Sequence, residues 1–221
     1  MPWALLARGA GDVQTGAYVM ATMSLHTSLQ GHLAEAVDMA QGAYEQGKHL
    51  AAPRVLAFAK LAEARAHGRA GDGRAGDGRA VGRALSTAEN LLSSIRPGTR
   101  DVQQLSYLTH ARISADAVEI YRDLGDLKSA LRFSHQADAM PIGVYTRAVG
   151  IRQTVFSSAH IQAGVLDQGL AYGERAVDIL SRVRSTRAHH VRQLTQNLRP
   201  WRRAPRVQRF VRTSAAGLTT T

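Results

Sequence analysis

Gly125-Asp126-Leu127-Lys128-Ser129-Ala130-Leu131-Arg132-Phe133-Ser134-His135-Gln136-Ala137-Asp138-Ala139-Met140-Pro141 reads as the turn and second helix of an antiparallel helix pair. Gly125 closes a first helix, Ala130 lies in the first turns of a second, Ala137 lets the two pack closely, and Pro141 forbids further helix. The acids Asp123 and Asp126 flank the turn, where carboxylates serve as helix boundary residues.

The same spacing recurs along the chain. Gly31 is followed by Ala36 and Ala43, Gly76 by Val81 and Ala88, and Gly164 by Gly169 and Ala176, all at the offsets of five and twelve set by Gly125, Ala130 and Ala137. Four copies with small residues at shared positions resemble tetratricopeptide (TPR) repeats. The Gly-to-Gly spacings of 45, 49 and 39 exceed the ~34 of the standard unit, so the units are TPR-like, with longer helices or connections. The expected fold is all-α: a right-handed superhelix of antiparallel helix pairs, an α-solenoid, closed by a C-terminal capping helix.

Helix pairs are expected near residues 14–29 and 32–46, from Ala52 to His67 with Arg79 to Ile95, over 101–124 with 127–140, and over 144–163 with 166–180. Pro53 suits a first helical turn, and Pro97-Gly98 stops the second pair. The array spans 1–180, with a Gly-rich loop at 68–79, and a basic cap and tail occupy 181–221. Within that tail Val183, His190, Val191, Leu194 and Leu198 fall at helical intervals, predicting a helix over 181–198 packed on the preceding repeat. Arg199-Pro200-Trp201-Arg202-Arg203-Ala204-Pro205 then breaks the helix, and Val207, Phe210 and Val211 allow one more short amphipathic turn.

Three stretches carry a family resemblance: Pro53 to His67, Tyr121-Arg122-Asp123-Leu124-Gly125-Asp126 with its following helix, and Ala176 to Val211. They resemble the TPR-like C-terminal region of actinomycete helix-turn-helix (XRE-type) transcriptional regulators. The resemblance implies sensing or dimerisation through the repeats and pairing with a full-length regulator. The DNA-binding part itself has no counterpart here. Residues 1–60 hold only Arg8, Lys48, Arg54 and Lys60 as cations, so the chain reads as a C-terminal portion or stand-alone descendant.

The net charge of +11 is concentrated at one end. After Asp178 there is no acidic residue, and ten of the 28 cations follow, which leaves 18 cations against 17 anions in the first 178 residues. Arg199, Trp201, Arg202, Arg203, Arg206 and Arg209 are the candidate polyanion contacts, since a basic surface attracts phosphate backbones with salt-dependent affinity. A solvated cap explains the same arginines, and a single Trp makes no stacking platform, so nucleic acid is not the favoured partner. No run of 18 apolar residues occurs and Met1 to Arg8 lacks a secretory pattern, so no membrane association and a cytoplasmic location are expected.

Chemistry is hard to find. With no cysteine there is no disulfide or thiolate metal site. Gly71-Asp72-Gly73-Arg74-Ala75-Gly76 has the lettering of a dinucleotide loop, yet it follows helix-forming residues and belongs to a tandem copy, Ala70 to Arg74 and Ala75 to Arg79. His189 and His190 lie about 100° apart on a helix and do not share a face. We expect no catalytic, cofactor or metal site. The expected function is that of a regulatory or adaptor domain binding a protein, a peptide or a small ligand in a groove lined by the first helix of each pair. Its candidate residues are Tyr18, Thr22, His26, Lys60, Arg65, Tyr107, His110, Arg112, Gln153 and His160. The alternatives are a DNA-binding regulator acting through the Arg-rich tail and a self-associating oligomerisation module.

Overall fold

A computed structural model describes residues 12–70, 76–96, 98, 102–137, 146–181 and 187–219. The described residues form ten α-helices and no strand. In chain order these are α1 (Val13–Leu29), α2 (Leu33–Gly47), α3 (Pro53–Ala70), α4 (Gly76–Ser93), α5 (His110–Asp123), α6 (Leu127–Ala137), α7 (Thr146–Gln162), α8 (Leu166–Ser181), α9 (Arg187–Asn197) and α10 (Pro205–Thr219). They divide into two compact units, Met1–Asp126 and Leu127–Thr221. No helix among the described residues is long and apolar enough to cross a membrane.

In the first unit, α1 packs against α2 and both pack against α3, while α4 and α5 pack on α3 and on each other. Asp12 caps α1 by accepting from the Thr15 amide at 2.9 Å. Gln14 Oε1 accepts from the Ala52 amide at 3.0 Å, ahead of α3. In the second unit α6 packs on α7, α7 pairs with α8, α9 packs on both, and α10 packs on α8 and α9.

The glycine pattern has a clear physical basis. Gly31, Gly125 and Gly164 follow α1, α5 and α7 with φ of +89°, +83° and +77°, a left-handed conformation that costs other residues strain. Gly76 differs, because it is the first residue of α4, and residues 71–75 before it lie outside the described structure. All eight positions at the offsets of five and twelve are nonetheless buried: Ala36, Ala43, Val81, Ala88, Ala130, Ala137, Gly169 and Ala176. Small side chains there let neighbouring helices approach.

Two of the pairs share a further device. Ser24 in α1 and Ser157 in α7 each precede the turn glycine by seven residues, and each is buried. Ser24 Oγ donates to the Ala36 carbonyl at 2.6 Å, and Ser157 Oγ donates to the Gly169 carbonyl at 2.7 Å. Each bond ties the first helix to the fifth residue past the turn, which fixes the register of the pair.

Two expected elements differ. Helix was expected over 101–124, but α5 begins only at His110. Gln103–Leu105 form a short 3-10 turn, and the extended Thr109 accepts from the Arg112 amide at 3.2 Å as an N-cap. Leu105 and Leu108 turn fully into the core, and Arg54 donates to the Leu108 carbonyl. The tail is also more helical than a single turn. Pro205 opens the 15-residue α10, where Val207, Phe210 and Ser214 are buried and Val211 half-buried, at helical spacing.

The expected helix over 181–198 is seen as α9 over residues 187–197. Leu194 and Leu198 join Ile161, Leu170, Val207 and Phe210 in one core cluster. Gly173 leaves the room that the Phe210 ring occupies, since a Cβ there would lie 3.1 Å from it. Asn197 Nδ2 adds a bond of 3.0 Å to Ser158 Oγ. Residues 187–219 are thus an integral part of the second unit. Pro97, Pro141 and Val183 lie outside the described residues, as do the side chains of His189, His190 and Val191.

Candidate functional site

Three first helices of the first unit, α1, α3 and α5, converge on a recess of 270 Å³. One wall is apolar and is made by Leu25 and Leu29 of α1 with Phe58 and Leu61 of α3. The other holds Arg65 and Arg69 of α3, Tyr107, and Arg112 and Asp116 of α5. Helical spacing explains the α3 contribution, since Phe58, Leu61, Arg65 and Arg69 follow one another at intervals of three or four. Leu29 is 69% exposed at the rim of the recess.

Asp116 organises the polar wall. Its buried carboxylate accepts from Arg65 Nη2 at 2.9 Å and from Arg112 Nε at 3.0 and 2.9 Å. Arg65 also reaches Glu119 at 3.0 Å. Burial works against the charged Arg65 guanidinium, but the carboxylates of Asp116 and Glu119 outweigh it and hold Arg65 more firmly protonated than usual. The Arg112 guanidinium lies 5.7 Å from the Tyr107 ring centroid, and burial pushes the Tyr107 phenol above its ordinary value. Arg112 reaches Asp116 through Nε, so its terminal amino groups are not needed for that pair. Arg69 lies 3.4 Å from Ser28 Oγ and 4.0 Å from Asp123.

Of the ten candidate groove residues, Arg65, Tyr107 and Arg112 come together here. Tyr18 stands nearby, its ring 5.7 Å from that of Phe58. Thr22 and His26 are exposed and line a different, shallow recess of 520 Å³ between α1 and α2, with His32, Glu35 and Met39. Lys60 is tied to Glu63 at 2.7 Å and sits over the Tyr44 ring at 4.1 Å. His110 is exposed at the start of α5, with Ser93 Oγ at 3.4 Å.

Gln153 and His160 belong to the second unit. Gln153 is half-buried and its carboxamide oxygen has no hydrogen-bond partner among the described residues. His160 is 2% exposed, with Nδ1 2.9 Å from the Phe156 carbonyl and its ring 5.0 Å from that of Tyr172. It is therefore a core side chain and lines no groove.

Leu25, Leu29, Phe58, Leu61, Arg69 and Asp116 were not among the expected residues. The spacing of Leu25 to Leu29 and of Arg112 to Asp116, four residues each, was the available signal.

Among the tail candidates, Arg199, Arg202, Arg203, Arg206 and Arg209 are exposed, and Arg206 pairs with Asp167. Trp201 is half-buried against the core cluster. The dinucleotide-like lettering at 71–76 falls mostly outside the described residues, but it connects helix α3 to helix α4, where that motif needs a strand before it. No group of three or more potential metal ligands occurs among the described residues. No protein-family model matches the chain, and a search of curated proteins finds no match either.

Proposed function

We propose that this chain is a non-catalytic helical-repeat domain of TPR type, a superhelix of helix pairs. It binds a peptide or small ligand on the face formed by its first helices. The observation that carries the reading is the α1/α3/α5 recess, where an apolar wall with the exposed Leu29 at its rim faces a wall of arginines and Tyr107. A volume of 270 Å³ falls below the roughly 300–1,000 Å³ of cofactor and drug-sized pockets and suits one anchoring side chain of a bound peptide. An apolar anchor next to a carboxylate matches the two walls, with Arg112 as the carboxylate partner. By analogy with the regulators it resembles, the domain senses a signal or a partner in transcription control. The buried small residues at the repeat offsets and the paired Ser24 and Ser157 bonds support the repeat reading.

Selection from a random peptide library on the full chain tests this. Peptides with an apolar residue beside an acidic one should be enriched, and Leu29→Asp should weaken them at least ~10-fold with an unchanged melting curve. No enrichment, or binding indifferent to Leu29→Asp, contradicts the proposal.

A further inference from the structure

The ten arginines that follow Asp178 meet no acidic residue in their own segment, and the fold gathers three of them around an apolar trough between α9 and α10. The trough has a volume of 400 Å³, with Leu198, Val207 and Val211 as floor and Arg199, Arg202 and Arg212 at its edge. Leu198 and Val207 are also members of the core cluster, so the packing of the second unit fixes the floor. The trough lining contains no carboxylate to neutralise its arginines. Asp167, on α8, is engaged by Arg206, which is not part of the lining.

We propose that this trough is a second binding site, on helices separate from the α1/α3/α5 recess, for an acidic amphipathic segment of a partner protein. Apolar side chains of the partner cover the floor, and its carboxylates pair with Arg199, Arg202 and Arg212. Charge complementarity identifies the partner: three arginines without a carboxylate among them favour an anion, and an apolar floor favours one that brings hydrocarbon with it. Nucleic acid fits less well. A phosphate backbone gains nothing from Leu198, Val207 and Val211, and with Phe210 buried and Trp201 half-buried against the core, this segment presents no row of aromatic faces on which successive bases stack. Val207, Gln208, Val211 and Arg212 span about 8 Å of α10, with Thr195 at the end of α9 and Leu198, Arg199 and Arg202 beyond it opposite, so the trough meets about one and a half turns of a docked helix.

Fluorescence anisotropy on the full chain tests the proposal with a labelled helical peptide of about 16 residues, Leu on one face and Glu on its flanks. The controls are the same peptide with every Leu replaced by Ser, and a duplex DNA of similar length. The Leu/Glu peptide should bind at ~0.15 M salt and the Ser peptide at least ~10-fold more weakly. Gln208→Glu, a change at an exposed position lining the trough, should weaken the Leu/Glu peptide at least ~10-fold, as should Arg199→Glu combined with Arg212→Glu, with the fold verified by circular dichroism. Equal binding of the Ser peptide, a preference for duplex DNA, indifference to Gln208→Glu, or no binding of the Leu/Glu peptide would each overturn it.

Discussion

Replacing Gly169 with alanine should destabilise the protein, although the same change inside a helix ordinarily stabilises. Gly169 lies in α8 at the position where the other copies carry Ala or Val, and it is buried. Helix propensity alone favours Gly169→Ala by about 1 kcal/mol. Against this, a Cβ at residue 169 would stand 2.7 Å from Ile161 Cγ1, 3.1 Å from the Ile161 amide nitrogen and 3.2 Å from the Ser157 carbonyl oxygen. Two of those atoms are backbone, and Ile161 is a buried core residue, so the methyl group is accommodated only by moving α8 away from α7. Such overpacking costs roughly 1–3 kcal/mol. The displacement also weakens the Ser157 to Gly169 hydrogen bond, a further loss of about 1 kcal/mol. The expected net loss is about 2 kcal/mol, on the order of 5–10 °C in melting temperature. Gly42→Ala is the counterpart, since its Cβ would meet only the flexible Met20 side chain at 3.4 Å. That substitution should stabilise by up to about 1 kcal/mol. Urea unfolding followed through Trp201, which packs against the core of the second unit, measures the first effect, and circular dichroism measures both. Equal stabilisation by Gly169→Ala and Gly42→Ala would refute the close α7–α8 approach.

Asp116→Ala should cost about 3 kcal/mol in denaturant unfolding, because it leaves Arg112 unpaired in a partly buried site while Arg65 keeps Glu119; a loss below about 1 kcal/mol would show that the network is solvated. Gly31→Ala tests the turn alone, since no atom lies within 4 Å of the added Cβ and only the positive φ opposes it. A loss of about 1–2 kcal/mol is expected, and no loss would mean that the turn adopts another conformation. Ser24→Ala should cost about 1 kcal/mol through the lost bond to the Ala36 carbonyl, and a neutral effect would detach that bond from the register of the pair.

Paired helices were legible in the sequence because their determinants are local. Gly31 and Gly164 announce left-handed turns, and the small residues five and twelve positions later announce close packing. Residues 101–109 misled because Leu105 and Leu108 satisfy a helical spacing, whereas the Thr109 cap and the bond from Arg54, 54 residues earlier, favour a 3-10 turn and an extended residue. Helix α10 was underestimated because Ala204-Pro205 reads as a break, although a proline at the first helical position starts a helix as readily as it ends one. The candidate site was only partly legible. Arg65, Tyr107 and Arg112 were expected on first helices, but their meeting with Leu29 and Asp116 depends on packing among α1, α3 and α5, which join residues more than 80 positions apart. His160 carried a polar label into the core, where a bond to the Phe156 carbonyl and the Tyr172 ring satisfy it.

Site-specific photo-crosslinking tests the recess most directly. A photoreactive amino acid is placed at Leu29, on the rim of the recess, and separately at Leu50, an equally exposed apolar residue outside it, in the full chain expressed in its own cells. A discrete adduct from position 29 and none from position 50 is the predicted result. Identical adducts from both positions, or none from position 29, would contradict the account.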